Sequence, residues 1–456
     1  MVRKIFNGAN LFLFVLVIFV IINSLLSFSE SKKSSPPIKK SFRVLSSNKD
    51  NFNQSIYFAK SGLEIFTITN PQVNLRIGSQ YKIDALTKRY EYNSQNFNQS
   101  YFLSLGVTGQ LELSKDSQLL VDQNCDWFCS ILRRVDLLQK NIKKTYLNAS
   151  CIEFAKINEF LNPKIKCQEV AALSSGLITG DTDGIEKSTN DNFKKLGLAH
   201  LVAVSGFQVV LLTSFLERIL FKLSLPKYLR ILLSVFSMLL LILLVGPQPP
   251  VLRSVMTLLI IYLALSLGRS VEYIRALIYS AIVLLFINPY YIYSISFQLS
   301  FLASFALGSN IFDQVDPTKF LIKFFKNLSS NILIFLFTLP ILINLAGFVS
   351  PISIVVNLFL IPIIPIISIL NIFGLIPILG SIFLLIPNIF QSFLLFFTND
   401  VGPNIALLEL QAFSLFEIFI YYFLLSCFVF TSKILLMNKK RAVIDSSEST
   451  KNLNEG

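Results

Sequence analysis

The chain has 456 residues, 53% of them hydrophobic and 15% charged, with 43 phenylalanines and a mean hydropathy of +0.62. A soluble fold cannot hide that much apolar surface, so the composition describes a mainly α polytopic membrane protein. The net charge of +13 fits either a nucleic-acid partner or Lys- and Arg-rich loops at one membrane face, while five cysteines and one histidine leave little for a metal site.

Residues 1–30 place Arg3 and Lys4 before an apolar run from Leu11 to Leu26. No small-x-small cleavage site follows, so the segment reads as a membrane anchor. Ser31 to Lys40 has the Pro, Ser and Lys content of a linker. Residues 31–150 form one extracytoplasmic domain. Short alternating runs at Ser55–Phe58, Leu63–Ile68, Leu75–Leu86, Tyr101–Leu113 and Gln118–Val121 predict strands. Five strands in this length suit a small closed barrel of the OB type. From Ser31 to Ser150 there are 17 Lys and Arg against 9 Asp and Glu. A basic barrel can hold a polyanion, although an ordinary basic bias explains the same count.

Residues 151–197 read as amphipathic linker helices, interrupted by the turn at Gly180 and Asp181. Residues 198–436 form a transmembrane block. Its spans are placed near 198–221, 231–246, 252–268, 274–288, 297–312, 331–346, 353–373, 375–398 and 415–436. With the anchor this makes about ten, several shorter than a simple crossing requires. Lys and Arg alternate between loops, which places 222–230, 313–330 and the disordered tail 437–456 inside. The 31–150 domain and the 401–413 loop then lie outside, and both termini are cytoplasmic.

The chemistry of the block begins at Leu196 to Leu212, LGLAHLVAVSGFQVVLL. His200, Ser205, Gly206 and Gln208 are expensive in lipid, so they face a bundle interior or a watery cavity. Hydrogen bonding between helices is the plainer explanation. His200 and Ser205 stand about 140° apart around a helix, which disfavours an intramembrane Ser/His hydrolase. Pro247, Pro249 and Pro250 break the chain before Arg253, either a cation at a pore mouth or an arginine snorkelling to the interface. Asn288 and Pro289 end one span, and Gln298 and Ser300 enter the next. Tyr290, Tyr291 and Tyr293 between them suit an interfacial belt. Pro340, Pro351, Pro362, Pro365 and Pro377, with Asn357 and Asn371, predict kinked or broken helices, which are tolerated beside water or inside protein. Cys125, Cys129, Cys151 and Cys167 lie outside in this topology. They permit three pairings, with Cys125 and Cys129 of CDWFC the leading disulfide candidates.

Several of these stretches, in order, resemble the ComEC family of competence DNA-uptake channel proteins. HLVAVSGFQV at His200 is similar to that family's HLLAISGLHV, with Gln208 where many members carry a second histidine. LITGD with Gly180 and Asp181, the Pro-rich turn before Leu252-Arg253, Asn288-Pro289 followed by Gln298-Leu299-Ser300-Phe301, Thr338-Leu339-Pro340, and Asn357-Leu358 to Pro362 continue the likeness. The resemblance implies a non-enzymatic channel in the bacterial inner membrane that passes single-stranded DNA during transformation. It also implies an OB-like domain near 40–150, a DNA receptor outside and a helicase-like motor inside. His200, Ser205, Gly206, Gln208, Arg253, Gln298 and Asn357 become expected path or gate residues. Many members continue into a metallo-β-lactamase-like nuclease domain. These 456 residues hold none, and the expectation is a separate nuclease if a strand is degraded. No Walker motif is present, and no cofactor or metal is expected. A secondary transporter or flippase for a small or lipid-linked anion is the alternative, disfavoured by the scarcity of Asp and Glu in the spans.

Overall fold

The computed structural model describes six strands between residues 38 and 122. From 127 to 432 it describes everything except 162–166, 181–183, 203–205, 289–290, 293, 310–319, 377–379, 403–406, 415 and 430. The anchor and the tail lie outside the described residues.

The strands are β1 (Ile38–Lys49), β2 (Ser55–Ser61), β3 (Glu64–Thr69), β4 (Gln80–Arg89), β5 (Val107–Leu113) and β6 (Leu120–Asp122). β1 pairs antiparallel with β2, β2 with β3, and β5 with β4, whereas β3 and β5 run parallel. β4 also pairs with β1, from Ile38↔Ala85 to Arg43↔Gln80. The pairings therefore return to their starting strand and close a ring of five, with β6 added on β4. β1 serves two neighbours because a bulge between Val44 and Ser46 bends it just past the β4 register, as bulges do. The linker expected at Ser31–Lys40 is corrected at its end, since β1 begins at Ile38. Its lysines hide the period-2 pattern that Ile38, Phe42 and Val44 carry.

Helix α1 (Trp127–Leu161) leads into α2 (Cys167–Thr179), and a Cys151–Cys167 disulfide ties the two. The candidate Cys125–Cys129 pair falls on Cys125, outside the described residues. α2 is enclosed by the bundle, with ten of its residues buried. Ala171, Ala172, Ser174, Ser175 and Gly176 make this possible, because small side chains let helix backbones approach closely. α3 (Lys187–Lys195) starts at a cap lent by α2. Glu186 N and Thr189 Oγ1 both donate to Glu169 Oε1, at 3.1 and 3.2 Å. Gly197 follows at φ 69°, and a Cβ there would lie 2.6 Å from that of Ser353.

The rest comprises α4 (Ala199–Val202), α5 (Gly206–Lys222), α6 (Lys227–Val245), α7 (Pro249–Ser266), α8 (Tyr273–Ile287), α9 (Ile295–Gly308), α10 (Phe320–Ala346), α11 (Ile352–Phe373), α12 (Gly380–Val401) and α13 (Phe416–Val429). A short ladder of β7 (Phe348–Val349) and β8 (Leu408–Glu409) joins the loops after α10 and α12.

The expected count of about ten spans is corrected downward. Among the described residues four helices, α6, α7, α10 and α12, are long and apolar enough to cross a membrane. The count is five if α11 is one span, bent by 46° between Leu360 and Ile364, where Pro362 lies and just before Pro365. The reasons are physical. In the run expected as one crossing at 198–221, α5 is 17 residues long and carries Glu217, Arg218 and Lys222. α8, α9 and α13 are apolar but only 15, 14 and 14 residues long. At 1.5 Å per residue such helices span about 22 Å, short of the ~30 Å hydrocarbon core.

Candidate functional site

Two polar clusters occupy the helical region, and they differ in kind. The first gathers on α5, α7 and α9. Pro249 and Pro250 open α7, where a missing N–H costs nothing, and this fixes Arg253 one turn in. Arg253 is 7% exposed. Its Nε donates to Ser300 Oγ on α9 and its Nη2 to Ser254 Oγ, both at 2.8 Å. Ser254 Oγ in turn donates to the Pro250 carbonyl at 3.1 Å. No carboxylate pairs with Arg253 among the described residues. Gly206, the first residue of α5, closes this arrangement. A Cβ there would collide with Ser254 Oγ and lie 2.6 Å from Arg253 Nη2 and 2.7 Å from the Pro250 carbonyl oxygen. Deeper in α7, Thr257 Oγ1 donates to Ser280 Oγ on α8 at 2.9 Å, and Tyr262 OH to Glu217 Oε2 on α5 at 3.1 Å. A buried guanidinium held by hydroxyls alone keeps most of its positive field, and that field can receive an oxyanion.

The second cluster lies between α1, α2, α11 and α12 and is uncharged. Tyr146 OH donates to the Asn371 carbonyl at 2.6 Å, Ser150 Oγ to Asn388 Oδ1 at 3.2 Å, and Ser174 Oγ to Gln391 Oε1 at 2.6 Å. Burial pushes the Tyr146 hydroxyl well above the usual phenol range. The Asn371 side-chain amide is fully buried, and among the described residues neither its oxygen nor its nitrogen has a partner.

Residues 177–436, more than half of the chain, match the family described as Competence protein. The chain belongs to the Competence protein family. A similar protein is the ComE operon protein 3 of Bacillus subtilis (strain 168), 34% identical over 189 residues, which are 41% of this chain and 24% of that protein. The chain thus matches about a quarter of the length of that curated relative. No solved structure matches. The Arg253 cluster lies wholly inside the Competence segment. The barrel and α1 lie before it.

Within that Competence segment the expected site residues take separate places. Gly206 and Arg253 meet, as described. Gln208, 3% exposed, lines instead a cavity of about 210 Å³ shared with Ser368 and walled mainly by aliphatic side chains such as Leu177, Leu212, Leu244 and Ile372. Residues two apart on a helix do not share a face. Gln298 is half-buried and its Nε2 donates to the Ile292 carbonyl at 2.6 Å, closing the turn before α9. His200 sits on α4 with its residue surface exposed. Asn357 is half-buried on α11, its Oδ1 unpartnered. Gly180 ends α2 at φ 74°, and Asn288 ends α8. Pro340 is buried inside α10, whereas Pro362 is exposed on α11. Ser205, Asp181 and Pro289 lie outside the described residues, as does the side chain of Cys129. Sequence reasoning missed Ser254. Its signal was adjacency, because a hydroxyl directly after a membrane arginine can bond that arginine's own guanidinium.

Proposed function

We propose that this membrane protein passes single-stranded DNA across the bacterial inner membrane during transformation, without itself being an enzyme. What carries the reading is Arg253, a buried cation that hydroxyls on α7 and α9 hold and Gly206 of α5 packs against, with no carboxylate paired to it among the described residues. A phosphodiester oxygen entering there replaces the Ser254 and Ser300 hydroxyls on a guanidinium able to donate two parallel bonds. The displaced hydroxyls can then turn to the incoming oxygen. Because those bonds are to neutral oxygens, the exchange gains charge complementarity and releases the strand again without breaking an ion pair. Membership of the Competence family supports DNA as the cargo.

The five-stranded ring with one parallel pairing supports an OB-like assignment for the 31–150 domain, which collects the strand outside. Both termini are inside in this reading. A DNA receptor outside and a helicase-like motor inside are the partners this reading proposes, and His200, Ser205, Gln208, Gln298 and Asn357 border the path. The test is import of labelled DNA by cells carrying Arg253→Ala, with the protein quantified in membranes. Import falls by about a hundredfold or more at unchanged protein level, the equivalent of about 2.7 kcal/mol at the limiting step. Import that falls only as far as protein abundance falls makes Arg253 a packing residue and removes the support for this site.

A further inference from the structure

Helix α1 carries a face that the DNA reading leaves unused. From Trp127 to Cys151 it holds Arg133, Arg134, Lys140, Lys143 and Lys144 against one acid, Asp136. Asp136 pairs with Lys140 across one turn at 2.7 Å, an exposed pair of little weight. Among these cations stand Leu137, Leu138 and Leu147, 58%, 54% and 38% exposed. The opposite face of α1 is fixed to the bundle through Tyr146 and Ser150 and through Gln139, whose Nε2 donates to the Leu244 carbonyl.

That last contact places Gln139 at the end of a crossing helix. Leu244 stands one residue before the end of α6, the crossing helix with the least of its surface covered by protein. The end of a lipid-facing span marks the edge of the hydrocarbon. Helix α1 therefore meets that edge at Gln139, and the leucines and cations around Gln139 are turned away from the protein. Leucines that enter the acyl boundary while Arg and Lys stay at headgroup level are the signature of an interfacial helix. Nucleic acid fits this face poorly. Single-strand binding relies on aromatic stacking, and among the cations and leucines from Arg133 to Leu147 the one aromatic, Tyr146, is buried inward, while the side chains of Trp127 and Phe128 lie outside the described residues.

We propose that α1 seats the protein on anionic phospholipid. Arg133, Arg134, Lys140 and Lys144 engage phosphate diester headgroups, and Leu137, Leu138 and Leu147 lie among the acyl chains. The selectivity for anionic lipid comes from the excess of cations. It does not depend on DNA passage, so it can stand or fall separately.

The protein carries its own reporter. Trp127 is the only tryptophan of the chain and the first residue of α1. The full chain is reconstituted into phosphatidylcholine liposomes containing equal small fractions of brominated phosphatidylglycerol or brominated phosphatidylcholine. Brominated phosphatidylglycerol should quench Trp127 about twofold more strongly, reflecting enrichment of the anionic lipid around the helix. The triple variant Arg134→Glu, Lys140→Glu, Lys144→Glu should bring the two lipids to equality. The milder Arg134→Gln, Lys144→Gln pair should give an intermediate ratio, which guards against a charge-reversed protein that fails to insert. Equal quenching by both lipids in the wild type overturns the proposal, and so does a preference that survives both sets of changes. Loss of the lipid preference on adding oligothymidylate would assign the face to DNA and overturn it too.

Discussion

The two polar clusters of the helical region solve opposite problems. Around Arg253 a charge is buried, and its neighbours, Ser254, Ser300 and the Pro250 carbonyl, are arranged about it. Between α1, α2, α11 and α12 nothing is charged, and each hydroxyl meets one neighbouring amide or carbonyl. The second pattern is how helices are joined in lipid, by scattered pair bonds of modest strength. The first is the arrangement that the proposed function uses, and a buried charge is costly enough that apolar replacement of buried ion pairs is often neutral or stabilising. The contrast teaches that polarity in a membrane bundle is not itself a sign of function. What distinguishes a site is uncompensated charge and the convergence of several elements on one group.

After Arg253→Ala, the sharpest way to break this contrast is Gly206→Ala. The added methyl meets Arg253 Nη2 and the Pro250 carbonyl within 2.7 Å. The guanidinium can swing aside, but the carbonyl belongs to the helix backbone and cannot. We expect a loss of about 1–3 kcal/mol in stability from overpacking. A drop in DNA import beyond the drop in protein level should accompany it. Thermal melting of the purified protein and import assays on matched membranes check both. A fully active, equally stable variant would show that α5 does not close the Arg253 cluster.

A smaller effect is expected on the other side of the comparison. Ser174→Ala removes the donor to Gln391 Oε1, and the Gln391 Nε2 already lacks a partner. The remaining buried amide should cost about 1–2 kcal/mol, visible as a lower melting temperature. Import per molecule should not change. Selective loss of import would move the path from α7 to α2.

Much of this was legible before the fold was known. The Pro-Pro-x-x-Arg start of α7 and the Ser-Gly start of α5 stand out because both break the rules of an ordinary apolar helix. Their proximity was not legible, since it depends on how α5, α7 and α9 pack and not on spacing within any one of them. The same limit explains Gln208 and Gln298. Each is polar in an apolar run, yet one lines an aliphatic cavity and the other bonds a local carbonyl. The span count failed for a related reason. Hydropathy registers an apolar run but not the length of the helix in it or the charges at its end, so α5, with Glu217, Arg218 and Lys222, and helices of 14 or 15 residues were read as full crossings. Sheet closure was half legible. Five of the strands alternate visibly, but β1 is masked by lysines. The ring depends on its double pairing.

The smallest effect, and the most informative about glue, is expected at Asn371. Its amide is buried with both polar ends unpartnered among the described residues, and its contact with α1 runs through its backbone carbonyl, which any residue supplies. An unmet buried amide costs about 1–3 kcal/mol, whereas leucine has nearly the same shape and no polar atoms to satisfy. Asn371→Leu should therefore leave the Tyr146 bond in place and melt at the same or a slightly higher temperature. Import should be retained, because in this comparison the α1–α2–α11–α12 cluster joins helices and does not meet DNA. If Asn371→Leu instead keeps its stability and loses import, the orphaned amide is held unpaired for a partner that arrives with the strand. The neutral cluster would then have to be counted as part of the path along with Arg253.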